Sequence, residues 1–189
     1  MPFADESSSA PAVDVVAYRP AWTDEGEALT VELRRLIPDA DAVDHIGSTA
    51  VPDLPAKDCL DAMVRVEAVA DVDLRAFADA GYRQRPEPWN LAEALGGVSY
   101  PKKVFAPPVG GRSVNIHVRQ TGSRTARYAL LFRDFLRADP DSRRAWGGFK
   151  TRLAEAELDI YTYGQVKATA QPLLMRLAEQ WAAETNWSP

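Results

Sequence analysis

Two short segments rich in β-branched and apolar residues, Ala42 to Ile46 and Cys59 to Val66, are separated by a loop that carries Gly47, Ser48, Pro52, Pro55 and Lys57. Segments of this length and composition read as strands, and the glycine and prolines between them read as an irregular connection. The loop therefore brings a Gly-Ser turn and a lysine to the ends of two neighbouring strands. Glycine lets backbone approach a phosphate closely, and serine adds a hydroxyl donor beside exposed amides.

The rest of the chain is placed around this unit. Val13 to Tyr18 reads as a short strand stopped by Pro20, because proline cannot donate to a ladder. Asp24 to Ile37 has apolar positions near helical spacing, with Thr23 as its expected N-cap, acidic residues at its start, Arg34 and Arg35 at its end, and Pro38 beyond. Asp71 to Ala80 is a helix closed by Gly81. Tyr82 to Trp89 reads as a further strand. Tyr100 to Phe105 and Ser113 to Arg119 pair as a hairpin around Pro107-Pro108-Val109-Gly110-Gly111. Three helical stretches follow, Ala126 to Ala138, Ser142 to Glu157 and Tyr163 to Glu184. Strands with helices come first and a helical set comes last, which is an α+β layout with a mixed sheet.

Residues 1–12, with Ser7-Ser8-Ser9 and two prolines, contain no apolar periodicity and read as a flexible leader. Residues 13–189 are expected to form one domain, of which 125–189 is the helical portion. At 46% hydrophobic and 26% charged residues the chain is globular in composition. Its net charge of -5 argues against an extended nucleic-acid surface, which calls for a basic one, and leaves room for a local basic pocket. Cys59 is the single cysteine, so no intramolecular disulfide and no cysteine-based zinc site can form. No apolar run is long enough to span a bilayer, and the expected location is cytoplasmic.

His45-Ile46-Gly47-Ser48-Thr49-Ala50-Val51-Pro52-Asp53-Leu54-Pro55-Ala56-Lys57 resembles the characteristic stretch of the GrpB family, within the nucleotidyltransferase superfamily. Tyr18-Arg19-Pro20-Ala21-Trp22, Asn115-Ile116-His117-Val118, Phe132-Arg133-Asp134-Phe135-Leu136-Arg137, Phe149-Lys150, and Tyr163 with Lys167 fall in that family's order. The resemblance implies a nucleotidyltransferase-like mixed β-sheet with flanking helices. It also implies a Gly-Ser turn that meets phosphate and an acid on the next strand that holds divalent metal. Asp61 stands at that acid's place.

From this follow the expected site residues. His45, Asp61 and His117 are the candidate catalytic cluster. Gly47, Ser48, Lys57, Arg133, Lys150 and Lys167 are the candidate nucleotide- and phosphate-binding residues, with Lys102 and Lys103 as weaker ones. Magnesium is the expected cofactor, held by Asp61 with Asn115 and His117. The expected partner is a small-molecule substrate, a nucleotide. Superfamily enzymes usually carry a second acid two residues after the first, on the same strand face. Here that position is Met63, so the metal site is incomplete, rebuilt with a neutral ligand, or absent. Three functions follow: nucleotidyl transfer to a small acceptor, nucleotide or small-anion binding without turnover, and other chemistry by the His45, Asp61 and His117 cluster.

Overall fold

The computed structural model describes residue 3 and residues 13–189, so the leader expected over 1–12 lies, apart from Phe3, outside the described residues. The elements run α1 (Ala21–Leu36), β1 (Ala42–Ile46), β2 (Leu60–Val66), α2 (Leu74–Asp79), β3 (Arg83–Gln84), α3 (Pro88–Leu91), β4 (Ala92–Leu95), β5 (Val98–Ala106), β6 (Val114–Gln120), α4 (Arg124–Ala138), α5 (Pro140–Ala154) and α6 (Ile160–Thr185). A 3-10 turn at Ser48–Ala50 follows β1. The strands form one mixed sheet in the order β1-β2-β6-β5-β3, with β4 also paired to β5. Pairs β1 with β2 and β5 with β6 are antiparallel, and β2 with β6 is parallel. The expected α+β class, mixed sheet and helical C-terminal portion are what the structure shows.

Alternation along the strands assigns the two faces of this sheet. Val43, Ala62, Val64, Ile116 and Val118 point to one side, where Trp22, Leu29 and Leu33 of α1 and Phe77 of α2 seal them into the main core. Ile46 and Met63 point to the other side and meet Ala126 and Leu130 of α4. Beyond them α4, α5 and α6 pack on one another through Leu131, Phe135, Trp146, Met175 and Ala178, with Val51 and Leu54 of the loop inserted. Each C-terminal helix is begun by a capping side chain that accepts from an early amide: Ser123 from Ala126, Asp139 from Ser142, and Asp159 from Tyr161 and Thr162.

Several expectations change. Val13 to Tyr18 is not a strand of the sheet. Only Val16 pairs, exchanging both backbone bonds with Ala56, so the segment clasps the loop instead. Helix α1 starts before Thr23, because Pro20 itself takes a helical conformation, and Thr23 lies inside the helix with its hydroxyl on that of Tyr18. The strand expected over Tyr82 to Trp89 is reduced to Arg83–Gln84, since Pro86 and Pro88 follow and proline cannot continue a ladder. Strand β4 is not among the strands expected from the sequence. It forms a hairpin with β5 across Gly96-Gly97, whose φ angles of 61° and 78° suit a tight two-residue turn.

Candidate functional site

The Gly-Ser turn is built by close packing against β2. Gly47 has φ 73° and ψ -167°, a conformation essentially restricted to glycine, and a Cβ there would lie 2.5 Å from Asp61 Oδ2. Turn and acid are thus locked together. On the other side of the loop, Gly147 lets α5 approach until a Cβ would lie 2.9 Å from Pro55 Cδ. This close approach delivers Lys150, only 2% exposed, to the loop, where its Nζ donates to the Pro55 carbonyl and lies 2.9 Å from Ser48 Oγ.

Two adjoining cavities open on this junction. The inner one, of about 130 Å³, is lined by Ser48, Lys57, Asp61, Asn115, Lys150, Tyr163 and Lys167, among others. The larger one, of about 580 Å³, shares Ser48, Asp61 and Lys167 with it. It runs along the sheet past His117 to Arg119 and Glu93, under an apolar wall that includes Tyr128, Phe132 and Trp146. Three lysines from three separate elements, the loop, α5 and α6, therefore line the inner cavity together with one carboxylate. Burial, with Lys167 nearby, lowers the Lys150 amine to about 7 despite the opposing pull of Asp61. Burial and Lys57 likewise lower Lys167. Burial and the charge of Asp61 raise Cys59, which also lines the inner cavity, to about 11, so it remains a thiol.

Asp61 pairs in register with Asn115, and Met63 with His117, so all four side chains share the cleft face. Asn115 Nδ2 lies 3.2 Å from Asp61 Oδ1, and His117 Nε2 lies 3.5 Å from the same oxygen. Burial would raise the Asp61 carboxyl, but His117, Asn115 and Lys167 hold it below the usual carboxylate range. Burial lowers His117, with Arg119 and Lys102 adding to the effect against the pull of Asp61. At neutral pH the pair is a carboxylate facing a neutral imidazole. The other ring nitrogen, Nδ1, is buried with no hydrogen-bond partner.

The donor set does not fit a magnesium site of the expected kind. Magnesium is usually bound through one or two carboxylates plus substrate oxygens. Among the described residues Asp61 is the only carboxylate lining the inner cavity, and its Oδ1 already faces Asn115 and His117. The next position on that face is Met63, fully buried. Among the described residues no three His, Cys, Asp or Glu side chains gather into a group able to hold a metal ion.

Other expected residues lie elsewhere. His45 does not join Asp61 and His117. Its register partner is Ala62, not Asp61, so its side chain points to the opposite face, beneath Gly26 of α1 and 3.0 Å from Thr49 Oγ1. Burial there lowers its imidazole to about 4. Arg133 is turned away from the cavities, to the His45 carbonyl and to Asp134. Lys103 reaches the Val69 and Ala70 carbonyls on the α2 side. Two cleft residues escaped the sequence reading, Glu93 and Arg119. Arg119, 8% exposed, donates to both Glu93 oxygens (2.6 and 3.1 Å), and Lys102 lies 3.2 Å from the same carboxylate. Burial opposes ionisation of Glu93, yet these cations lower it to about 2. The Gly96-Gly97 turn was the available signal for the hairpin that places it. Among the described residues no helix is long and apolar enough to cross a membrane.

Comparison with known proteins agrees with this architecture. The chain is 35% identical over 167 residues to a dephospho-CoA kinase of Mycolicibacterium paratuberculosis, covering 78% of this chain and 41% of that protein. It is 29% identical over 181 residues to the UPF0157 protein YqkA of Bacillus subtilis, covering 92% of this chain and 49% of that one. The chain thus spans about half the length of these curated relatives. The crystal structure of the conserved protein GrpB from Enterococcus faecalis superposes with a TM-score of 0.72 at 28% identity, over 89% of this chain and 99% of the other. The profile of the family described as GrpB protein matches residues 12–175, and the chain belongs to that family.

Proposed function

We propose that the cleft binds a nucleotide and that the protein is a nucleotidyltransferase-like enzyme acting on that nucleotide and a small acceptor. The observation that carries this reading is the convergence of Lys57, Lys150 and Lys167 beside the Gly47-Ser48 turn in a chain of net charge -5. Cations from three elements gathered at one subsite match a multiply charged anion, and charge-assisted hydrogen bonds are the strong ones. The phosphates occupy the inner cavity, and the base and acceptor share the larger one beneath Tyr128, Phe132 and Trp146. Asp61 stands at the junction of the two cavities, with Asn115 and His117 orienting it. Catalysis is then positioning and charge neutralisation, as in other transfers at phosphorus.

A second reading, nucleotide binding without turnover, is favoured by Met63 in the place of the second acid. Chemistry by a His45, Asp61 and His117 cluster is not carried forward, because the sheet separates His45 from the other two. The kinase activity in the name of the mycobacterial relative is that of a protein about twice this length and is not assigned to this chain.

The test is a thermal-shift panel of the four ribonucleoside triphosphates, followed by an assay for pyrophosphate release with small hydroxyl and amine acceptors. A ligand at one hundred times its Kd should stabilise the fold by about 2.7 kcal/mol. No shift with any of them would overturn the nucleotide reading. A shift without pyrophosphate release would select the second one.

A further inference from the structure

Resting on that nucleotide-binding reading, we infer that the cleft holds its phosphates without a divalent metal, with protein cations supplying the charge that metal provides in superfamily enzymes. The observation lies where the missing acid would stand. Met63 occupies the position two residues after Asp61 on the cleft face, and Arg119 Nη1 lies 3.6 Å from its Sδ. A guanidinium, permanently charged, thus stands beside the residue that would otherwise bring a second carboxylate and its metal. Glu93 holds that guanidinium through Nε and Nη2, and among the described residues the hydrogen-bond partner of Nη1 is the Met63 thioether, a weak acceptor.

The far end of the same face supplies the other cations. Lys167 lines both cavities, and Lys57 and Lys150 line the inner one. The one carboxylate between the two groups, Asp61, is already engaged with Asn115 and His117. Phosphate oxygens entering here meet fixed ammonium and guanidinium donors before any ligand pair for a metal. A bound dication would be repelled by these same groups, and its chelation by the nucleotide would weaken the lysine contacts.

Calorimetric titration of the intact chain with the four ribonucleoside triphosphates and with inorganic tripolyphosphate, each in excess EDTA and again in excess magnesium chloride, tests this. The expected result is that the best nucleotide and tripolyphosphate bind in EDTA at least as tightly as in magnesium. Binding that weakens tenfold or more in EDTA would overturn the inference while leaving the nucleotide reading intact. Absence of binding in both conditions would overturn both. Glu93→Gln with Arg119→Gln removes the guanidinium without stranding a buried carboxylate, and Lys167→Met removes the cation shared by both cavities. Each variant, shown to be folded by circular dichroism, should bind tenfold or more weakly in EDTA. Unchanged affinity in both would also overturn the inference.

Discussion

On the face of the sheet covered by α1, polar groups are paired with one another. Asp58 receives Arg19, Arg112 and the Trp22 indole, Arg112 also meets Glu25, and His45 is capped by Thr49 beneath Gly26. On the opposite face, beneath α4 to α6, cations outnumber their partners. Lys57, Lys150 and Lys167 line one cavity with a single carboxylate, Asp61, and Arg119 with Lys102 shares Glu93. Both faces carry acids and cations, and the second is richer in lysine. The first pairs them within the fold, at and near the surface as well as beneath α1, and the second leaves charge for a ligand.

This contrast can be broken most severely at the turn. Gly47→Ala introduces a Cβ against Asp61 at a backbone angle only glycine adopts readily. It should cost about 3 kcal/mol of stability in chemical denaturation and also abolish nucleotide binding. Gly26→Ala is the matching change on the closed face, where the Cβ would overlap the His45 ring. It should cost about 2 kcal/mol and leave affinity per folded molecule unchanged. If Gly26→Ala weakened binding as much as Gly47→Ala did, the separation of the faces would fail.

Lys167→Met reverses the pattern. Loss of a charge-assisted contact should weaken triphosphate binding tenfold or more, about 1.5 kcal/mol, while stability holds or rises slightly because a half-buried cation is removed. A large loss of stability would make Lys167 a structural residue.

The comparison can also be sharpened by pH. Lys150, facing Ser48, Lys57, Asp61 and Lys167, has its amine lowered to about 7 by burial. Its folded value lies below the unfolded one, so the ligand-free protein gains stability from this group as pH rises from about 7 toward the ordinary lysine range. Anion affinity changes in the opposite sense and falls as the ammonium is lost, by up to tenfold per pH unit. Lys150→Met should weaken both trends in paired denaturation and binding measurements between pH 6.5 and 9, with Lys167 carrying what is left.

Much of this layout was legible from local pattern. Strands β1, β2, β5 and β6 and the three C-terminal helices stand where apolar runs, glycines and prolines place them, and Ser48, Asp61, Asn115 and His117 came with those strands. What local pattern does not carry is register. A slip of one residue between β1 and β2 exchanges the faces, so whether His45 points with Asp61 or away from it depends on pairing to Ala62. Arg133 failed for a related reason. A helix is readable from its period, but which face its arginine shows the sheet is set by how α4 docks. Glu93 was missed because a strand of four residues is too short to show alternation, although its Gly96-Gly97 turn was in view. Arg119 stood on a strand that was expected, and it was missed because its partner Glu93 was.

A crystal structure with a non-hydrolysable nucleoside triphosphate tests the central claim most directly. Phosphate oxygens are expected within hydrogen-bond distance of Ser48, Lys150 and Lys167, with the base under Tyr128 and Phe132. Phosphates bound elsewhere, with these three residues untouched, would contradict it.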